Sequence, residues 1–197
     1  FRALCQKSLK TDSVKVCDVG LGLGYNALST LETWLLGEGS FELELVSLEN
    51  DTDLFSSLRS SCASWQEDWH EVWRDLSRDF EELKPGLFEK ELAHPTSGKK
   101  AIWKVYLGDA VSSLTKTLSI PFSFDFIWQD PFSPKTSPAL WDKNWFTLLS
   151  KHSNPGTVLM TYSVSGNVRS SLSENDWSWQ KIQTTTKKKQ WLKSVKN

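Results

Sequence analysis

The sequence predicts an α/β fold: a mostly parallel, Rossmann-like sheet with helices on both faces and a C-terminal antiparallel hairpin. Three observations predict it. Short apolar runs alternate with stretches of helical character, the pattern of βαβ units. The first apolar run, Val16-Cys17-Asp18-Val19, breaks into glycines at alternate positions, Gly20, Gly22 and Gly24, and a helical stretch follows from Tyr25. Near the end, two strand-like runs follow one another with no helix between them, which suits a closing hairpin.

Taken in order, the expected strands are Val14–Val19, Glu42–Leu48, Ala101–Leu107, Phe124–Gln129 and Thr157–Tyr162, with Ser178–Thr184 and Gln190–Val195 as the hairpin. Between them, helices are expected at Tyr25–Leu36, Asp53–Ala63, Val111–Leu118, Ala139–Lys151 and Val168–Leu172. The stretch from Trp65 stands apart. Trp65, Trp69, Trp73, Leu76, Phe80 and Leu83 are spaced 4, 4, 3, 4 and 3 apart, one apolar stripe on an amphipathic helix. Such a stripe packs against a core more readily than it stacks on bases. Pro85-Gly86 ends it, and Pro95 to Lys100 reads as a loop. The expected organisation is one domain over 1–197 with a helical insert about 65–100.

Composition narrows the function classes. The 197 residues fit one domain with a full core. A net charge of -1 provides no global basic field for nucleic acid. Acids concentrate between Glu67 and Glu91, whereas Lys187, Lys188, Lys189, Lys193 and Lys196 close the chain without an acid among them. That tail reads as a solvated end or a local phosphate contact. Cys5, Cys17 and Cys62 form neither a disulfide framework nor a zinc pattern, and His70, His94 and His152 are not ligand-spaced. No metal is expected. No apolar run approaches the roughly 20 residues that span a bilayer, and no signal peptide is visible. A reducing, cytoplasmic setting without membrane contact is expected.

The chemistry is read from loops at strand ends, where open α/β sheets bind ligands. A dinucleotide loop, G-x-G-x-x-G, would need a glycine where Tyr25 stands, and a phosphate loop would need Gly-Lys-Ser/Thr. An acid followed by G-x-G-x-G instead resembles the first motif of class I S-adenosylmethionine (SAM) methyltransferases. Glu49 ends the second strand 25 residues after Gly24, close to the offset of a ribose-binding acid. Asp109, in Leu107-Gly108-Asp109-Ala110, reads as an acceptor for an adenine amino group, as the N-cap of the next helix, or as both. Asp130 ends the fourth strand and should face the reacting centre, on a loop stiffened by Pro131 and Pro134. An acid followed by proline and an aromatic ring suits an amine substrate.

Together these segments are similar to the methyltransferase domain of the MnmC family, over nearly the whole chain. The residues that carry the resemblance are Asp18 to Asn26, Gly108-Asp109-Ala110, Asp130-Pro131-Phe132-Ser133-Pro134-Lys135 with Pro138 and Trp141, Thr161-Tyr162-Ser163 with Gly166, Val168 and Arg169, and Lys187 to Leu192. The resemblance implies a class I methyltransferase sheet and SAM-dependent methylation of the 5-aminomethyl group of the wobble uridine in tRNA. The amine nitrogen would attack the sulfonium methyl, with Asp130 orienting the amine and relaying its proton. It implies cofactor contacts from Asp18, Gly20, Gly22, Gly24, Asn26, Glu49, Asp109, Ala110 and Gln129. It implies substrate contacts from Phe132, Ser133, Pro134, Lys135, Trp141, Tyr162 and Arg169, with Trp141 or Tyr162 stacking on the base. Some members carry a fused flavin-dependent oxidase domain; no such domain is expected here. Two positions depart from the family pattern: Leu23 replaces the usual residue between two glycines, and Gln129 replaces an apolar one. Little chain precedes the first strand, where the family usually carries a further segment. Two other readings stay open, a polyamine aminopropyltransferase-like enzyme and a non-catalytic SAM-fold module that binds RNA or protein.

Overall fold

A computed structural model describes residues 12–36, 41–51, 86–94, 96–116, 123–183 and 190–197. In chain order these contain β1 (Ser13–Val19), α1 (Tyr25–Leu36), β2 (Glu42–Glu49), β3 (Gly86–Ala93), β4 (Lys100–Leu107), α2 (Ala110–Lys116) and β5 (Phe124–Gln129). A 3-10 turn, Pro138–Leu140, then leads to α3 (Lys143–Lys151), β6 (Ser153–Thr161), α4 (Gly166–Ser173), β7 (Trp177–Gln183) and β8 (Gln190–Lys196). The strands form one sheet in the order β3-β4-β2-β1-β5-β6-β8-β7. β4, β2, β1, β5 and β6 run parallel, β3 lies antiparallel on β4, and β8 is antiparallel to both β6 and β7. The expected fold class is therefore borne out, hairpin included.

Both sheet faces are apolar because the central strands are covered on both sides. On one face Val14, Val16, Leu43, Leu45 and Trp103 pack on Leu28, Leu31 and Trp34 of α1. On the other, Cys17, Val19, Val46, Ile127 and Leu159 meet Leu114, Trp145, Phe146, Leu149, Val168 and Leu172 from α2, α3 and α4. Cys17 is thus a small core residue, and burial pushes its thiol pKa up. The tryptophans also tie elements together through their N–H groups. Trp34 donates to Phe41 O, Trp103 to the Ser47 hydroxyl and Trp128 to the Thr30 hydroxyl.

Three elements differ from expectation. The stretch Gly86–Ala93, read as the end of a helical insert, is an edge strand. It finds its partner in the open side of β4, and its Glu89 and Glu91 lie beside Lys104 and Lys100 of that strand. The helix expected over Ala139–Lys151 divides, because the Asp142 carboxylate caps the Trp145 N–H and starts α3 afresh. β6 begins at Ser153, earlier than Thr157, through a register shift opposite Phe124. The Asp53–Ala63 helix, the Trp65 stripe, Cys5, Cys62, His70 and Lys187 to Lys189 lie outside the described residues.

The strand order reverses between β1 and β5, the switch point where ligands of such sheets bind. Gly20 makes that junction possible. Its φ is +80°, and a methyl group built on it would lie 2.6 Å from Pro131 Cα. Gly98 has a similar φ, +68°, but nothing within 4 Å. Gly20→Ala should therefore lose about 1–2 kcal/mol from the left-handed backbone and about 1–3 kcal/mol more from the clash. Gly98→Ala should lose only the first part. Denaturant titration of the two variants checks this; equal losses would show that the junction has room to give.

Candidate active site

The glycine loop is built on the end of β2. Gly20 N and Leu21 N both donate to Leu48 O, at 3.0 and 3.1 Å. Gly22 N donates to Glu49 Oε2 at 2.8 Å, while Glu49 Oε1 accepts from Asn50 N and Asp51 N at 2.8 and 2.9 Å. Backbone donors thus fill three of the roughly four acceptor positions of this carboxylate. Gly24 N closes the turn on Leu21 O at 2.8 Å, and Gly24 O receives Leu28 N from α1.

Asp130 arrives from the neighbouring strand. Its backbone N–H reaches Val19 O at 3.1 Å, and its Oδ2 accepts from the Asn26 amide at 3.0 Å. Asn26 belongs to the first turn of α1, so the glycine-loop helix and the Asp130 loop are joined through side chains.

These loops enclose a cleft of about 650 Å³. One side is Gly20, Gly22, Leu48, Glu49, Asn50 and Asp51, and another is Asp109 and Ala110. The far wall is Asp130, Pro131 and Phe132 with Thr136 to Leu140. Asp109 Oδ1 also accepts from Ser112 N at 2.8 Å, so Asp109 caps α2 and borders the cleft at once.

Several other expected site residues do not border the cleft. Gln129 is buried, with its amide donating to Leu140 O at 2.7 Å and its oxygen accepting from Trp145 Nε1 at 2.9 Å. It faces the fold and not the cleft. Trp141 Nε1 donates to Phe132 O at 2.7 Å, and the Tyr162 hydroxyl donates to Pro131 O at 2.9 Å. Phe132, Ser133, Pro134 and Lys135 are exposed, with Ser133 O accepting from Thr136 N and Ser137 N to close the loop. The Arg169 guanidinium lies over the Trp179 ring, 5.1 Å from its centroid. Sequence reasoning missed the Thr136–Leu140 wall, whose signals were the Ser133 turn and the Asp142 cap. Among the described residues, no group of three or more His, Cys, Asp or Glu is placed to hold a metal ion.

Asp18 is fully buried at the end of β1 and does not border the cleft. Its Oδ2 accepts from the Ser47 hydroxyl at 3.2 Å, which in turn accepts from Trp103 Nε1 at 3.0 Å. Its Oδ1 has no hydrogen-bonding partner among the described residues. Burial pushes its pKa from 3.8 to about 8; the Ser47 and Asn26 side chains oppose the rise, and the charges of Asp130 and Glu49 add to it. Folding therefore binds a proton at Asp18 between pH 3.8 and about 8. The stability this group contributes is fully present below the lower value and is lost as pH rises through the upper one. Asp18→Asn, which stays neutral, should gain stability relative to the unsubstituted chain across that window and hold a constant advantage above it. Thermal midpoints of both proteins from pH 4 to pH 9 check this; a constant difference throughout would show that Asp18 titrates normally.

Known proteins resemble this chain in sequence and in fold. A family model described as S-adenosyl-L-methionine-dependent methyltransferase matches residues 67–197, two thirds of the chain. The tRNA 5-methylaminomethyl-2-thiouridine biosynthesis bifunctional protein MnmC of Leptospira interrogans is 28% identical over 166 residues, covering 84% of this chain and 24% of that protein. The protein of the same name from Pseudoalteromonas translucida is 25% identical over 190 residues, covering 90% of this chain and 28% of that one. The chain thus spans about a quarter of the length of these curated relatives. Among solved structures, MNMC2 from Aquifex aeolicus shares the fold with a TM-score of 0.75 at 22% identity, over 98% of this chain and 56% of that one. The glycopeptide N-methyltransferase MtfA, complexed with SAM, shares it at a TM-score of 0.53 and 11% identity, over 100% of this chain and 92% of that one. The resemblance to MnmC methyltransferase domains drawn from the loop motifs is borne out, and the chain belongs to the S-adenosyl-L-methionine-dependent methyltransferase family.

Proposed function

We propose that this chain methylates the 5-aminomethyl group of the wobble uridine in tRNA, giving 5-methylaminomethyluridine. The observation that carries the reading is the meeting of Asp130 with the glycine loop in one cleft, an acid suited to an amine beside a loop suited to SAM. The names of the curated relatives supply the tRNA, and a tRNA substrate implies a cytoplasmic setting. No helix among the described residues is long and apolar enough to cross a membrane.

The residues present fit SAM. Gly20 and Gly22 border the cleft without side chains, so a ligand meets backbone there. Glu49 keeps about one acceptor position beyond its three backbone donors, enough for a ribose hydroxyl. Asp109 and Ala110 border the same cleft, where the adenine would lie. When bound, SAM supplies a methyl group on a positively charged sulfur.

The chain's own residues do the rest. Asp130 accepts a hydrogen bond from the aminomethyl group, presents the nitrogen lone pair and takes the proton that nitrogen releases. Asn26 fixes the Asp130 carboxylate through Oδ2. Phe132 offers an exposed ring at the cleft for a splayed-out base. Lys135, on the same exposed loop, supplies positive charge for the backbone of the nucleic acid.

The test is transfer from labelled SAM to tRNA bearing 5-aminomethyluridine, with nucleoside analysis of the product. Label should appear in 5-methylaminomethyluridine. Asp130→Asn should lower the rate about 10²–10⁴-fold while SAM binding stays intact. Label in another nucleoside would overturn the substrate, and unchanged turnover in Asp130→Asn would overturn the role of the acid.

A further inference from the structure

Trp141 and Tyr162 are the rings that a base-stacking scheme would choose, yet both point their polar atoms into the protein. We propose that they are positioning residues: they hold the backbone that carries Asp130 and Phe132, and the substrate base meets Phe132 alone. The part concerning the base rests on the function proposed above.

The two residues grip consecutive carbonyls. The Tyr162 hydroxyl donates to Pro131 O at 2.9 Å and Trp141 Nε1 to Phe132 O at 2.7 Å. Their rings meet edge to face, with centroids 5.4 Å apart and planes at 72°, so each fixes the other. Pro131 has no N–H, so its carbonyl is the backbone polar group by which it can be held. Fixing the carbonyls at 131 and 132 sets the path of the chain as it leaves Asp130. The loop is then closed from the far side, where Thr136 N and Ser137 N reach Ser133 O at 2.8 and 2.9 Å. Gln129, the residue before Asp130, donates its side-chain amide to Leu140 O at 2.7 Å.

Exposure separates Trp141 from Phe132. Trp141 is 4% exposed and offers no open face, whereas Phe132 is 61% exposed and borders the cleft. Neither Trp141 nor Tyr162 borders it. Burial, and then the Asp130 charge, push the Tyr162 pKa above its ordinary value, so the hydroxyl remains a donor at neutral pH.

Tyr162→Phe removes one hydroxyl and Trp141→Phe one N–H, each leaving a ring in place. Both variants should lose about tenfold in kcat per SAM-binding site, with KM for tRNA and Kd for SAM unchanged. Phe132→Ala should instead raise KM for tRNA about tenfold or more. Hydrogen exchange provides a readout independent of turnover: the amides of Thr136 and Ser137 should exchange faster in Tyr162→Phe and in Trp141→Phe. Wild-type kcat and unchanged exchange in Tyr162→Phe would overturn the positioning role. A raised tRNA KM with normal kcat in Trp141→Phe would return that ring to stacking. Should Trp141→Phe fail to fold, Tyr162→Phe decides the matter. Should the unsubstituted chain methylate no tRNA, the proposed substrate fails, while the exchange data still decide whether the two residues hold the loop.

Discussion

The backbones leaving β1 and β5 pass so closely that a methyl group on Gly20 would stand 2.6 Å from Pro131 Cα. Everything at the cleft follows from that contact. Because the two loops touch, the amide of Asn26 in the first turn of α1 can reach across to Asp130. Because Gly20 and Leu21 also hang from Leu48 O, the glycine loop is fixed to β2 on its other side. Three strand ends therefore share one rigid junction, and the cleft is the space they leave. Loops joined through backbone hydrogen bonds hold a reacting group more tightly than loops that merely pack.

The junction gathers acids, and each is handled by a different physical device. The Glu49 carboxylate is held by three backbone N–H groups. Asp109 spends one oxygen at the start of α2, where the helix dipole favours negative charge. Asp18, sealed from water, keeps its proton instead. Asp130 stands at the cleft with an amide on one oxygen. A site of this sign favours ligands that carry positive charge, which SAM and an aliphatic amine both do. The same acids would repel phosphates, so contact with a nucleic acid backbone has to come from outside the cleft, where Lys135 lies.

Much of this was legible in the sequence because it rested on spacing. Alternate glycines after an acid, a second acid 25 residues on, and an acid before proline at a later strand end are linear signals. Glu49, Asp109 and Asp130 do border one cleft, as those signals implied. What was not legible depends on where polar atoms point. Gln129, Trp141 and Tyr162 are adjacent to the motifs, but periodicity cannot tell a side chain that faces ligand from one that grips a carbonyl. β3 escaped notice for another reason. Its Glu89-Lys90-Glu91 has the composition of an exposed helix as much as of an edge strand, and only the open side of β4 decides between them.

The central claim is that the glycine loop and the Asp130 loop form one methyl-transfer site, and the most direct measurement is a crystal structure with S-adenosylhomocysteine bound. The account predicts a ribose hydroxyl on Glu49, adenine beside Asp109 and Ala110, and the sulfur turned toward Asp130. A ligand lying with its sulfur away from Asp130, or outside this cleft, would contradict it.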